Sequence, residues 1–367
     1  MGPSTRERFM KMALDLALRA KGRTSPNPMV GAVLVKDEKV IGTGFHQKAG
    51  MPHAEIEALN AAGDKANGAD LYINLEPCAH SGRTPPCCDA LIRAGIKRVF
   101  AGMQDPNPLV SGKGFEKLKA AGLEIVCGIL EAEARKTNEI FAKHITTGKP
   151  FVTLKSAASL DGKTAAPSGE SKWITGEEAR ARVHEMRDEV DAVMVGVNTI
   201  IRDDPSLTAR PRGKEGKNIF RIVLDSALKI PGNSKALQPD GEKKTIIATT
   251  GKAALEKTRR LEAKGVIIIK TGEENGMVDL RDLMKKLGAM EITSVLIEGG
   301  SRVNASALRS GIVDKVVFFY APKIIGGESA FPMFGLEGAR ELKDAVRIKD
   351  LEVSRAGEDI MVAGYVV

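Results

Sequence analysis

The 367 residues are 43% hydrophobic, 28% charged and only 4% aromatic, with a formal net charge of +8. That length suits two domains with sizeable cores, and the four cysteines fit a reducing compartment better than a disulfide framework. The charge is spread, with 20 basic and 16 acidic residues up to Thr147 against 35 and 31 beyond it; with so few aromatic platforms for stacking bases, this disfavours a nucleic-acid partner and favours a small anionic substrate.

No run of about 18 apolar residues occurs, and Met1 to Ala20 mixes charge with apolar residues, so neither a membrane span nor secretion is expected and a cytoplasmic protein is. Phe9, Met10, Ala13, Leu14 and Ala17 predict a first helix ending near Lys21-Gly22. The turn cluster Thr24-Ser25-Pro26-Asn27-Pro28 precedes a buried strand expected over Met29 to Val35 and a second over Val40 to Phe45. A charged linker leads to a helix over Ile56 to Ala62, with Pro52 in its first turn. Strands are expected over Leu71 to Leu75, Arg98 to Gly102 and Leu123 to Cys127, with helices from Asp89 and Gly114 between them. One connecting helix then runs from Glu131 to His144, and Thr146 to Pro150 marks the boundary between domains 1–147 and 148–367. Beyond it, strands are expected at Phe151-Lys155, Ala192-Val197, Phe220-Leu224, Thr245-Thr249, Val266-Ile269 and Ser294-Ile297, with Val316-Tyr320 and Met361-Val366 closing the sheet. Helices fall around Glu177-Glu189, Ala253-Lys264, Leu280-Leu287 and Arg302-Ser310. This alternation means an α/β layer fold in both halves.

Chemistry concentrates between His53 and Cys87. Pro52-His53-Ala54-Glu55 is followed by Glu76-Pro77-Cys78 and then Pro85-Pro86-Cys87, one imidazole, a carboxylate and two thiols in the order of the zinc nucleobase-deaminase signature. His53, Cys78 and Cys87 as zinc ligands leave the fourth tetrahedral position for water, whose pKa the metal lowers toward neutrality. Glu55 would take that water's proton and deliver it to the departing amine. Positions two apart diverge by roughly 200° on an ideal helix, so His53 and Glu55 predict a helix start with the metal ahead of its N-terminus. A structural zinc would need a fourth protein ligand. Cys88 is the further candidate in this stretch, and on a helix it points in a different direction from Cys87.

With His53-Ala54-Glu55, Glu76-Pro77-Cys78-Ala79-His80 and Gly82-Arg83-Thr84-Pro85-Pro86-Cys87-Cys88, the chain resembles the bifunctional deaminase/reductase family of riboflavin biosynthesis. Eight residues separate Cys78 from Cys87, unlike the two of an ordinary cytidine deaminase. Ala158-Ser159-Leu160-Asp161-Gly162, Trp173-Ile174-Thr175, Asp203-Asp204-Pro205, Ile297-Glu298-Gly299-Gly300 and Ala321-Pro322-Lys323 carry the likeness through essentially the whole chain. The resemblance implies a cytidine-deaminase-like three-layer α/β/α domain followed by a dihydrofolate-reductase-like α/β domain. It implies zinc-dependent removal of the 2-amino group from a phosphorylated pyrimidine, then NADPH-dependent reduction of its ribosyl group to ribityl, in a homo-oligomer.

Candidate contacts follow. Asn27, fixed between two prolines, is placed to present its amide to the pyrimidine edge, though Asn is also a common turn-former. His46, His80 and Arg83 flank the zinc loop and suit a ribose phosphate, or are solvated loop residues. Glu298-Gly299-Gly300-Ser301 joins a strand to a helix, where backbone N–H groups can approach a phosphate, although such connections are common. No Gly-x-Gly-x-x-Gly follows a first strand, so a Rossmann site is not supported. Trp173 lines the cofactor pocket or belongs to a core. Reducing a cyclic glycosylamine requires ring opening to an imine, hence proton traffic near strand ends. Lys155 after the first strand, Asp203 after the Ala192-Val197 strand and its following turn, and Glu298 fit that need. Lys155 and Glu298 would hold the ribose and Asp203 would carry the proton; the alternatives are a solvated strand end, a helix-capping carboxylate and an Asp-Pro turn. The resemblance adds cofactor contacts from Ala157, Thr199 and Ser226 beside Trp173, Gly299, Gly300 and Ser301. It adds substrate contacts from Ser171, Leu207 and Arg210 beside Asp203 and Glu298.

Overall fold

The structure is a computed structural model that describes residues 4–79, 86–108, 110–239, 241–335 and 338–367. The chain divides into two compact units, Met1–Gly148 and Lys149–Val367.

In the first unit, Ser4 and Glu7 form a reciprocal capping box that starts α1 (Thr5–Leu18). β1 (Gly31–Lys36), β2 (Lys39–Phe45), α2 (Ala54–Ala62), β3 (Asp70–Leu75), α3 (Cys87–Arg93), β4 (Arg98–Met103), α4 (Lys113–Ala120) and β5 (Glu124–Cys127) follow, then α5 (Glu131–Thr137) and α6 (Glu139–Thr147). The sheet order is β2-β1-β3-β4-β5, antiparallel across the first two pairings and parallel across the others. Strand alternation sorts the core into two layers. Ala32, Leu34, Leu71 and Ile73 pack with Ala58 of α2, Leu91 of α3 and Leu118 of α4. Val33, Val35, Tyr72 and Phe100 pack with Phe9 and Leu14 of α1 and Ala134 of α5. The result is a three-layer α/β/α fold. Gly42 and Gly44 of β2 let α2 lie close to the sheet, since a Cβ on either would collide with the α2 backbone at Ala58 or Ala54.

Two expectations change here. The N-cap of α2 is His53, with extended backbone, so Pro52 precedes the cap instead of occupying the first turn. The helix expected from Glu131 to His144 is two helices, because Asn138 leaves helical geometry to brace the entry to β1. Its Oδ1 accepts from the Met29 N–H at 2.8 Å and its Nδ2 donates to the Met29 carbonyl at 3.0 Å.

The second unit contains β6 (Phe151–Ser159), β7 (Lys163–Ala165), α7 (Glu177–Glu189), β8 (Ala192–Gly196), α8 (Val197–Asp203), β9 (Phe220–Leu224), β10 (Thr245–Thr249), α9 (Leu255–Ala263) and β11 (Ile267–Lys270). A short hairpin, β12 (Glu273–Glu274) and β13 (Met277–Val278), leads to α10 (Leu280–Ala289), β14 (Ser294–Ile297), α11 (Ser301–Arg309), β15 (Lys315–Ala321), β16 (Phe331–Pro332), β17 (Ile348–Ala356) and β18 (Asp359–Val366). The nine-stranded sheet runs β11-β10-β9-β8-β14-β6-β15-β18-β17. Its first seven strands in that order, β11-β10-β9-β8-β14-β6-β15, are parallel, and β18 and β17 add antiparallel pairings. Side chains from α10 and α11 pack on one face and those from α7, α8 and α9 on the other, the double covering that parallel strands require. α8 stands where a turn was expected, and β6 continues past Lys155 to Ser159. β17 was not expected. All its residues but the two ends are exposed, so no buried face imposes the alternation that marks a strand.

Candidate active sites

In the first unit, the end of β3 and the starts of α2 and α3 converge. His53 Nδ1 lies 3.2 Å from Cys87 Sγ and 3.7 Å from Cys78 Sγ, and the three donor atoms fall within 4.8 Å of one another. Donors on one tetrahedral zinc stand roughly 3.3–3.8 Å apart, so the cluster matches that ion in size. Cys88 turns away, its buried thiol facing the Pro77 and Gly114 carbonyls at 3.4 and 3.6 Å. Among the described residues the cluster has three protein ligands, the number of a catalytic rather than a structural zinc.

Charge makes the same case. Hydrogen bonding from Cys87, aided by His53, holds the Cys78 thiol below its ordinary range, against the opposing effect of burial. The Cys78 sulfur at its side, together with burial, pushes the Cys87 thiol up. A coordinating metal deprotonates thiols outright, so a cation held between the two sulfurs would favour both as thiolates. Glu55, at the second position of α2, is 3% exposed. Burial raises its carboxyl above the usual range and the neighbouring Cys78 raises it further, which suits a group that must accept a proton and return it.

Glu76 acquires a role the sequence reading did not give it. It is buried, and its Oε2 accepts from the Asp105 and Gly112 N–H groups, both at 3.0 Å. Its Oε1 accepts from Gly114 at 2.8 Å and Phe115 at 3.3 Å. The segment carrying Cys78 is thereby fastened to the connection between β4 and α4. A glutamate just past a strand end, beside Pro-Cys, was the available signal.

His46 corrects an expectation. Its ring is 2% exposed, with Nδ1 donating to the Pro52 carbonyl at 3.0 Å and Nε2 taking the Asn27 amide at 3.1 Å. Burial lowers its pKa, in keeping with a neutral ring. It therefore orients Asn27 instead of facing a phosphate. His80 and Arg83 lie outside the described residues.

In the second unit, a cavity of about 690 Å³ opens across the carboxyl ends of β8, β9 and β14. It brings together Thr199, Ser226, Gly300 and Ser301 with Ser171, Asp203 and Glu298. Gly299 and Gly300 have φ of 117° and 82°, values that suit glycine, and they leave the first amides of α11 open to a phosphate. Volume and cradle fit a dinucleotide.

Other expected residues lie away from its lining. Ala157 sits in mid-strand among the side chains under α7. Trp173 is 65% exposed, neither pocket wall nor core, with the Arg180 guanidinium 4.5 Å from its ring; Lys323 donates to the Trp173 and Ile174 carbonyls. Leu207 packs into the core with a positive φ of 56°. Arg210 is exposed, and Gly299 precedes Gly300 without lining the cavity itself.

Lys155 is not at a strand end. It lies within β6, and burial lowers its ammonium pKa while Glu298 opposes that shift. Glu298 does not cap a helix, since the N-cap of α11 is Gly300. Arg187 of α7 grips it bidentately, Nε to Oε1 at 2.5 Å and Nη2 to Oε2 at 2.9 Å. Burial pushes the Glu298 carboxyl up, and the charge and hydrogen bonds of Arg187 outweigh it, so the net shift is down. Arg187 Nη1 also donates to the Thr208 carbonyl at 3.1 Å, fixing the segment that carries Leu207 and Arg210. The sequence reading missed Arg187. It flanks the apolar stripe Ala179, Val183, Met186 and Val190, where a charge facing inward needs a buried acid. Asp203 is exposed at the last position of α8, while Asp204 takes the left-handed C-cap.

Residues 3–103 match the family described as the cytidine and deoxycytidylate deaminase zinc-binding region, and residues 150–362 match the RibD C-terminal domain. The riboflavin biosynthesis protein RibD of Aquifex aeolicus (strain VF5) is 48% identical over 355 residues, 96% of each chain. That of Escherichia coli (strain K12) is 41% identical over 366 residues, 96% of this chain and 97% of its own. Among solved structures, Acinetobacter baumannii RibD superposes with a TM-score of 0.90 at 39% identity, over 99% of both chains. A Thermotoga maritima diaminohydroxyphosphoribosylaminopyrimidine deaminase/5-amino-6-(5-phosphoribosylamino)uracil reductase gives 0.83 at 37%, again over 99% of both.

Proposed function

The chain belongs to the RibD family, the bifunctional deaminase/reductases of riboflavin biosynthesis, and from that premise we propose the substrate it takes and the residues that act on it. The substrate is 2,5-diamino-6-(5-phosphoribosylamino)pyrimidin-4-one. Residues 1–147 deaminate it, and residues 148–367 then reduce the ribosyl group to ribityl. The observation that carries this reading is the trio of donors His53, Cys78 and Cys87 within 4.8 Å, with the buried Glu55 two residues from the histidine.

Zinc and NADPH are the cofactors. Zinc held by those three side chains supplies Lewis acidity and a water of lowered pKa. Glu55 takes the proton of the attacking water and delivers it to the departing amine. Asn27, turned by His46, meets the pyrimidine edge; His80 and Arg83 take the phosphate. In the second unit NADPH supplies the hydride. Asp203 carries the proton for ring opening from the rim of the cavity. Glu298 holds the ribose from the wall, with Arg187 fixing its carboxylate and Lys155 supporting it from β6. Ser171, the Leu207 backbone and Arg210 complete the substrate contacts. Thr199, Ser226, Gly300 and Ser301 of the lining serve the cofactor, Gly299 shapes the turn before them, and Ala157 and Trp173 serve it from outside that lining.

The test is the mass of the products formed from the diaminopyrimidine phosphate. Without NADPH the amine-to-oxygen exchange should appear alone; with NADPH two further hydrogens should be gained. No exchange by the zinc-loaded chain would sink the reading.

A homo-oligomer is the proposed assembly. The edge strand β17 leaves Leu351 and Val353 60% and 69% exposed, and such edges invite pairing with another chain. Light scattering of Val353→Lys against the parent reads this. No helix among the described residues is long and apolar enough to cross a membrane, and the cytoplasm is the proposed location.

A further inference from the structure

The second unit's cavity has two ends. One is set by Glu298 after β14 and Asp203 at the end of α8. The other is walled by Ser226 and Lys229 after β9, Lys252 after β10, and the β12–β13 hairpin. In the order β10-β9-β8-β14, three inter-strand steps separate those ends, roughly 14 Å at the usual spacing. A dinucleotide whose nicotinamide reaches a ribose at Glu298 lays its adenosine half over β9 and β10, outside the carboxyl ends of the strands.

β9 is followed by an acid, Asp225. In dinucleotide-binding α/β folds an acidic residue of this kind binds the adenosine ribose hydroxyls and goes with NADH. Asp225 is not available for that task. It is 1% exposed, and its Oδ1 accepts from the Lys229 N–H at 2.8 Å and its Oδ2 from Ile230 at 2.7 Å. Asp225 borders the cavity, but with 1% exposure and both oxygens bonded inside the turn its carboxylate serves to shape the loop. What the loop presents is Lys229, exposed, lining the cavity, and without an ion-pair partner among the described residues. Its neighbours are engaged. Lys252 Nζ lies 2.8 Å from Glu273 Oε1, and Arg309 has an interaction of its own. Ser226 Oγ accepts from the Val278 N–H at 3.1 Å, which leaves its own proton to donate.

We propose that Lys229, presented by the turn that Asp225 holds and assisted by the Ser226 hydroxyl, reads the 2′-phosphate of NADPH and sets the preference for NADPH over NADH. The proposal rests on the reading of this cavity as the reductase site.

The test is calorimetric binding of NADPH and NADH to the full chain, without turnover, for the parent, Lys229→Ala, Lys229→Glu, Arg309→Ala and the cavity-filling Thr199→Trp. Removing a charged hydrogen-bond partner should weaken NADPH about ten- to hundredfold in Lys229→Ala, and more in Lys229→Glu, with NADH binding unchanged. An equal loss for both dinucleotides, no loss, or a selective loss in Arg309→Ala instead would overturn the assignment. Thr199→Trp reports on the cavity itself and should lose both dinucleotides. Normal NADPH binding there would mean the cofactor lies elsewhere, and the cavity reading would fall with the assignment. Ser301→Trp, on the α11 side of the cavity, replaces it if that variant does not fold.

Discussion

Between His53 and Cys87 three donor atoms meet within 4.8 Å, delivered by the starts of two helices and the end of one strand. In the second unit Lys155, Arg187, Asp203 and Glu298 come from β6, α7, α8 and the end of β14. The first site leaves a conflict between two adjacent thiols for a metal to resolve. The second resolves its own, bracketing the buried Glu298 with Arg187 and Lys155. A metal centre therefore restricts residue type and spacing locally. A protein-made ion pair depends on which helix lies over which strand, and leaves no local pattern.

Four variants break or sharpen that contrast. Cys78→Ser should lose zinc and with it all deamination, while ribosyl reduction of already deaminated substrate persists; metal analysis beside both assays reads it. Loss of both activities would show that the sites are not separable. Glu55→Gln should keep zinc and lose about 10²–10⁴-fold in deamination, the usual worth of acid-base catalysis. Near-parental turnover would remove Glu55 from the mechanism.

Arg187→Met leaves Glu298 buried without its main partner and should cost the second unit about 3–5 kcal/mol of stability, measured by denaturant unfolding. The pH dependence carries a sign. The folded pKa of Glu298 is lowered, so its contribution is full above the ordinary carboxylate range and is lost as pH falls through the folded value. In Arg187→Met that loss on acidification should shrink. Asp203→Asn has the smallest expected effect, a fall in reduction of deaminated substrate at saturating NADPH. A change within about threefold, below the usual acid-base contribution, would leave Asp203 a helix-end residue and move the proton role to Lys155 or Glu298.

The same contrast explains what was legible in the sequence. His53, Glu55, Cys78 and Cys87 could be assigned because two-residue spacing at a helix start and a Pro-Cys at a strand end have few other uses. The parallel strands were readable as continuous apolar runs, since helices cover both their faces. β17 was not readable because nothing covers it, and the break at Asn138 because its cause is a bond to Met29, far away in sequence. Lys155 looked like the residue after a strand; β6 runs on through Ser156-Ala157-Ala158-Ser159 because it pairs along its length with β15. Arg187 was placed on the right helix, but its inward direction follows only from the packing of α7 over Glu298.

Glu76 bears on how the enzyme comes to hold its metal. None of its four backbone hydrogen bonds involves a zinc donor, so the segment running from Glu76 to Cys78 is anchored by the β4–α4 connection and the start of α4, and the conformational cost of ordering it is met during folding. On that footing zinc should enter as the last part fitted and not as the nucleus of assembly. A cell short of the metal would accumulate folded chains that reduce but do not deaminate. Restoring the supply would switch on protein already made, and chelated enzyme refilled with zinc should recover deamination without passing through an unfolded state.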